Sequence, residues 1–121
     1  GSISAIYNIG TLYKNGRGVP QNYQLAMEWY KKSAEQGDSD AMFYIGFFYN
    51  KGQGVPQDYQ LAMEWYKKAA EKGDLDAICN IGVFYNNGQG VPKDLEKAKY
   101  WYKKACEKGY LKACEKLKEL K

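Results

Sequence analysis

Residues 52–73 read Gly-Gln-Gly-Val-Pro-Gln-Asp-Tyr-Gln-Leu-Ala-Met-Glu-Trp-Tyr-Lys-Lys-Ala-Ala-Glu-Lys-Gly, and variants of this stretch occur three times in the chain. Trp29, Trp65 and Trp101 stand 36 residues apart, as do Gly16, Gly52 and Gly88, and the Val-Pro pairs that begin at Val19, Val55 and Val91. A fixed period of this length marks a solenoid, in which each unit buries its apolar face against the next. The 121 residues therefore divide into repeats at 5–40, 41–76 and 77–112, a lead-in at 1–4 and a capping helix at 113–121.

Inside the quoted stretch the spacing is helical. Ala62, Trp65, Tyr66, Ala69 and Ala70 recur at i, i+3, i+4, i+7 and i+8, whereas Gln60, Glu64, Lys67 and Glu71 occupy the opposite face. Asp58 is placed to cap this helix, with Asn22 and Asp94 in the same role in the other repeats. Gly73 is the expected left-handed stop, and Lys67, Lys68 and Lys72 suit the negative end of the helix dipole. Upstream, Ala41–Asn50 reads as a second helix, with Asp38 and Asp40 near its positive end. Lys51-Gly52-Gln53-Gly54 ends it, because paired glycines favour turns. Gly10, Gly46 and Gly82 lie in the middle of this first helix, where Gly costs about 1 kcal/mol relative to Ala. The expected offset is close approach of the second helix through Ala62 and Trp65.

Composition fits a folded array. Hydrophobic residues make up 45% and aromatics 16% of the chain, enough to exclude disorder. No apolar run is long enough to span a bilayer and no signal-peptide pattern is present. Gly1-Ser2 reads as an expression scar, so the missing leader has no weight. The formal net charge of +4 concentrates in residues 77–121, with ten Lys against five acidic residues. Lys and Glu interleave there and no Arg cluster stands ready for phosphate, so nucleic acid is not the expected partner.

The recurring pattern Ala-x-x-x-Ile-Gly-x-x-Tyr-x-x-Gly-x-Gly-Val-x-x-Asp, followed by Ala, Trp-Tyr, Ala-Ala and Gly, resembles the Sel-one-like repeat (SLR), a relative of the tetratricopeptide repeat. The resemblance runs from Ala5 to the end of the chain, with Asn22 in place of Asp in the first unit. It implies an all-α fold: a right-handed superhelix of antiparallel helix pairs, the first helix of each pair lining the concave side. After Gly109 the register continues through Ala113, Cys114, Leu117 and Leu120 as a cap over the third repeat. No comparable cap precedes Ala5, which leaves the N-terminal face open to self-association.

Chemistry is poorly provided for. The chain has no His, which removes the usual general base and the commonest metal ligand. No Ser has a Lys three residues on, and the Gly-x-Gly turns lack the Lys-Ser/Thr of a phosphate loop. No cofactor or metal is expected. Cys106 and Cys114 flank a short loop that a disulfide could bridge, a spacing that resembles the cysteine-rich secreted bacterial branch of the family. Two reduced thiols are the alternative. The bonded form would place the chain in a periplasmic or secreted setting, and the reduced form in the cytoplasm. Cys79 falls outside that pairing, on the face expected to line the groove.

Transferred from the resemblance, the concave wall receives Tyr7, Thr11 and Lys14 from the first repeat, Phe43, Phe47 and Asn50 from the second, and Cys79, Val83 and Asn86 from the third. Each trio lies on one helical face. Between the first two repeats the second helix barely changes, while the first differs at Tyr7/Phe43, Thr11/Phe47 and Lys14/Asn50. The expected function is a non-enzymatic scaffold that binds a protein or peptide segment in this groove, with the aromatics as anchors. The alternative, by analogy with the cysteine-rich branch, is weak penicillin binding or β-lactam hydrolysis.

Overall fold

The computed structural model describes residues 3–120. Among them the chain forms α1 (Ile3–Asn15), α2 (Tyr23–Glu35), α3 (Ser39–Lys51), α4 (Tyr59–Glu71), α5 (Leu75–Asn87), α6 (Leu95–Glu107) and α7 (Leu111–Glu119). Each helix packs chiefly on its neighbours in sequence, so the pairs α1/α2, α3/α4 and α5/α6 stack in order and α7 closes the end. This is the α-solenoid of helix pairs that the period predicts.

The helix boundaries follow local chemistry. Asn22, Asp58 and Asp94 accept hydrogen bonds from the backbone N–H of Leu25, Leu61 and Lys97 at 3.0, 3.0 and 3.1 Å. These caps hold the starts of α2, α4 and α6. At the other end of α3, Gly52 takes φ +69° and its N–H bonds the Phe48 carbonyl. Helix α3 begins at Ser39, two residues before the expected Ala41, because Asp38 is its cap and bonds the Asp40 N–H. Helix α7 begins at Leu111 rather than Ala113 because the chain turns at Gly109, and Tyr110 takes the cap position without a side-chain cap bond.

The core repeats with the sequence. Ala26, Ala62 and Ala98 are fully buried, as are Tyr30 and Tyr66, with Tyr102 1% exposed. Here the structure corrects one expectation: the side chain that crosses each mid-helix glycine is this tyrosine, not the tryptophan before it. A Cβ on Gly46 would stand 2.8 Å from Tyr66 Cδ1, and Gly10 and Gly82 meet Tyr30 and Tyr102 in the same way. Trp65 is only half-buried and carries the Lys68 ammonium 4.2 Å from its ring centre. Met63, turned inward, is buried in its stead.

Repeats also lock to each other through their turns. Gly54, at φ +75°, comes so close to α2 that a Cβ would lie 2.8 Å from the Tyr23 backbone. Tyr23 in turn sets its ring edge-on to Phe48 at 5.6 Å, a contact that Tyr59 and Phe84 repeat at 5.8 Å in the next unit.

Candidate functional site: a groove across three helices

Helices α3, α5 and α7 line a groove of about 460 Å³. Four of the nine residues expected on the concave wall meet there: Phe43, Phe47 and Asn50 from α3 and Val83 from α5. Phe43 and Phe47 sit one helical turn apart with ring centres at 6.3 Å, and Phe43 also packs on Tyr66 at 5.5 Å. All four side chains are partly exposed, and Phe43, Phe47 and Val83 form an apolar strip in a wall whose exposed surface is mostly polar.

The three α1 residues do not reach it. The Tyr7 ring lies 5.3 Å from Tyr30 and 6.3 Å from Tyr44, filling space between helices. Thr11 bonds the Tyr30 hydroxyl at 2.9 Å and the Tyr7 carbonyl at 3.2 Å. Lys14 places its ammonium 3.8 Å from the centre of the Tyr44 ring. Tyr7 and Lys14 are engaged in the contact of the first repeat with the second, and Thr11 in the packing of α1 on α2 within the first.

Cys79 is likewise not a wall residue. It is 2% exposed, in a cluster with Ala113 and Tyr102 that α7 covers. Burial pushes its thiol pKa up, with Lys116 and Lys112 pulling the other way, which disfavours a reactive thiolate. Asn86 is half-buried beside the Tyr102 hydroxyl rather than in the groove.

Sequence reasoning missed the polar part of the wall. Asn80 comes from α5, Lys51 from the end of α3, and Lys112 and Lys116 from α7. The period contains the signal, since Asp40, Asp76 and Lys112 share one register and Tyr44, Asn80 and Lys116 share another. Helix α7 is therefore a first helix in register as well as a cap. Asp76, also in the wall, accepts a hydrogen bond from the Tyr110 hydroxyl.

Cys106 and Cys114 are joined by a disulfide, with Cα atoms 4.8 Å apart, which ties α7 to α6. Ser33, the buried serine of α2, donates to Asp38 Oδ2 at 2.7 Å and completes a cap rather than a nucleophile–base pair. Among the described residues no cluster of His, Cys, Asp and Glu has the arrangement of a metal site, and no helix is long and apolar enough to cross a membrane.

A stack of helix pairs with one groove across the first helices defines a repeat protein built to present surface. The chain belongs to the Sel1 repeat family, whose repeat matches residues 3–38, 39–74 and 75–110. Among solved structures it is similar to a Sel1 repeat protein from Oxalobacter formigenes, with 37% identity and a TM-score of 0.89 over 96% of this chain and 48% of that one. It is similar also to a protective antigen present in uropathogenic Escherichia coli strains displaying an SLR fold, with 39% identity and a TM-score of 0.91 over 95% of this chain and 25% of that one. Helicobacter pylori cysteine rich protein B matches with 26% identity and a TM-score of 0.77 over 93% of this chain and 90% of that one. The chain thus spans about half and a quarter of the first two relatives. No curated protein sequence matches it. The Sel1-repeat fold is generally a protein–protein interaction scaffold and not an enzyme.

Proposed function

We propose that this chain is an interaction scaffold that binds a peptide segment of a partner protein in the groove between α3, α5 and α7. The observation that carries the reading is the row of partly exposed apolar side chains, Phe43, Phe47 and Val83, set side by side with Asn50 in a concave wall. Exposed aromatics grouped in a concavity are the usual anchors of an interface, since their burial returns about 25 cal/mol per Å² before ordering costs. A groove of about 460 Å³ has room for several side chains of an extended segment, not for a folded domain. Nothing in the geometry or the relatives favours β-lactam chemistry.

Selection of short random peptides displayed on phage tests this. Enriched peptides should bind the native chain and lose affinity for a Phe43→Ser/Phe47→Ser variant that circular dichroism shows to be helical. Equal binding to both, or no enrichment, refutes the groove. We further propose that binding leaves Tyr7, Thr11 and Lys14 to their structural contacts, so Lys14→Gln should leave affinity unchanged.

A further inference from the structure

The three repeats bury the same tyrosine at nearly the same depth, and carboxamides of one register, Asn50 and Asn86, stand beside the second and third of its hydroxyls. Tyr30 bonds Thr11 at 2.9 Å, and the Tyr102 hydroxyl has Asn86 beside it. In the second repeat Phe47 stands where Thr11 stands in the first, and the Tyr66 hydroxyl is buried without a hydrogen-bond partner. Leaving a buried donor unpaired costs about 1–3 kcal/mol, and native folds contain few such groups.

The surroundings of that hydroxyl are the polar half of the groove. Burial raises the Tyr66 phenol to about 12, and the carboxamides of Asn50 and Asn80 beside it pull the other way. Neither makes a bond of acceptable geometry to it, yet both line the groove. A carboxamide that turns its oxygen toward Tyr66 presents its NH₂ to a ligand, pairing both groups. The wall around them is rich in donors and positive charge: Lys51 stands at the end of α3, and Lys112 and Lys116 rise one turn apart on α7. Asp76, the carboxylate in this wall, is already engaged by Tyr110. Three ammonium groups, Lys51 among them over the Phe47 ring at 5.8 Å, therefore outnumber one carboxylate in this wall, and a matching ligand is negative and rich in acceptors.

We propose that the groove selects an acidic peptide, in which an Asp or Glu carboxylate is held by Lys51, Lys112 and Lys116 beside an apolar residue seated on Phe43 and Phe47. Asn50 and Asn80 donate to its oxygens, and Tyr66 is the positioning residue that orients them. The inference rests on the groove reading above and adds the chemical class of the bound segment.

The peptides selected on phage, resynthesised with a fluorescent label and titrated by anisotropy, supply the test. They should be enriched in Asp or Glu next to an apolar residue, and their affinity should fall as salt is added. A Lys112→Gln/Lys116→Gln variant should bind about tenfold more weakly and with a flatter salt dependence, the effect expected for charge-assisted hydrogen bonds. Tyr66→Phe should weaken binding roughly threefold to tenfold while leaving the melting temperature in place, which a merely structural hydroxyl would not do. Enriched peptides without acidic residues, or affinity indifferent to the lysine pair, would overturn the acidic preference and leave the groove standing. Peptides that bind the Phe43→Ser/Phe47→Ser variant equally well remove the groove itself. Unchanged affinity in Tyr66→Phe removes the positioning role.

Discussion

Replacing Gly46 by Ala should destabilise the fold, although Ala is the better helix former by about 1 kcal/mol. Gly46 is buried in the middle of α3, where a Cβ would stand 2.8 and 2.9 Å from Tyr66 Cδ1 and Cε1 and 3.1 Å from the Ala62 carbonyl oxygen. The Tyr66 ring has little room to retreat, since Phe43 packs on it at 5.5 Å and Phe84 meets it edge-on at 5.5 Å from the other side. Forcing a methyl into such a core costs about 1–3 kcal/mol, and here the obstacle includes a backbone atom, so we take the upper part of that range. Subtracting the propensity gain leaves a net loss of about 1–2 kcal/mol, or a fall of about 4–8 °C in melting temperature for a chain of this size. Thermal unfolding followed by circular dichroism measures it directly. A double variant, Gly46→Ala with Tyr66→Leu, should recover part of the loss relative to the sum of the single changes, because the shorter side chain vacates the space under the new methyl. A melting temperature unchanged or raised in Gly46→Ala would refute the close-approach account of the mid-helix glycines. Strict additivity in the double variant would show that the cost lies elsewhere than against Tyr66.

Tyr30→Phe breaks the bond to Thr11 and should cost about 1 kcal/mol, whereas Tyr66→Phe removes an unpaired buried hydroxyl and should be neutral or slightly stabilising; urea unfolding of the two variants side by side reads the contrast. Reducing the Cys106–Cys114 disulfide releases a short loop and should lower stability by about 2–3 kcal/mol, seen as a drop in unfolding midpoint with reductant that a Cys79→Ala variant reproduces in full. Tyr30, Tyr66 and Tyr102 are each raised to about 12 from 10.0, with burial the first cause in every case. The unfolded chain therefore gives up these protons first, so their contribution is intact below pH 10 and is lost as pH climbs from 10 toward 12. Tyrosinate absorbance during an alkaline titration should show a late group that ionises together with the loss of helical signal, and smooth titration of every tyrosine with the helices intact would contradict it.

The architecture was legible because it rests on periodic features, each with a local cause. Asp58 caps α4 from its own place in the chain, Gly52 stops α3 because its φ is positive, and the alanine and tyrosine stripe of α4 is apolar at helical spacing. None of these needs knowledge of a distant residue. The wall was legible only in part because it depends on how far each first helix is rotated toward its neighbours. Cys79 and Phe43 share a register, yet the small thiol lies under α7 and the phenyl ring extends into the groove. The α1 trio occupies the same positions as the groove residues of α3, but Tyr7, Thr11 and Lys14 are drawn into contacts with Tyr30 and Tyr44.

The same logic explains where the groove arises. The second helices of the first two repeats hold nearly one sequence, so Tyr30 and Tyr66 arrive at the same depth and pass the same glycine. The first helices then decide what each hydroxyl meets. Thr11 closes the first position with a hydrogen bond. Phe47 in its place cannot make that bond and contributes a partly exposed ring to the groove, and Tyr66 stands unpaired behind Asn50 and Asn80. Taken alone, the exchange of Thr for Phe gives up a partly buried hydrogen bond and leaves an aromatic ring partly exposed, two costs that the fold of the array does not require, since the first repeat manages without them. On the proposed reading, a ligand that covers the ring and supplies an acceptor beside the carboxamides recovers both costs together. Stability and the proposed binding are thus set by different helices of one repeat: the near-constant second helix builds the stack, and departures of the first helix from the period build the groove.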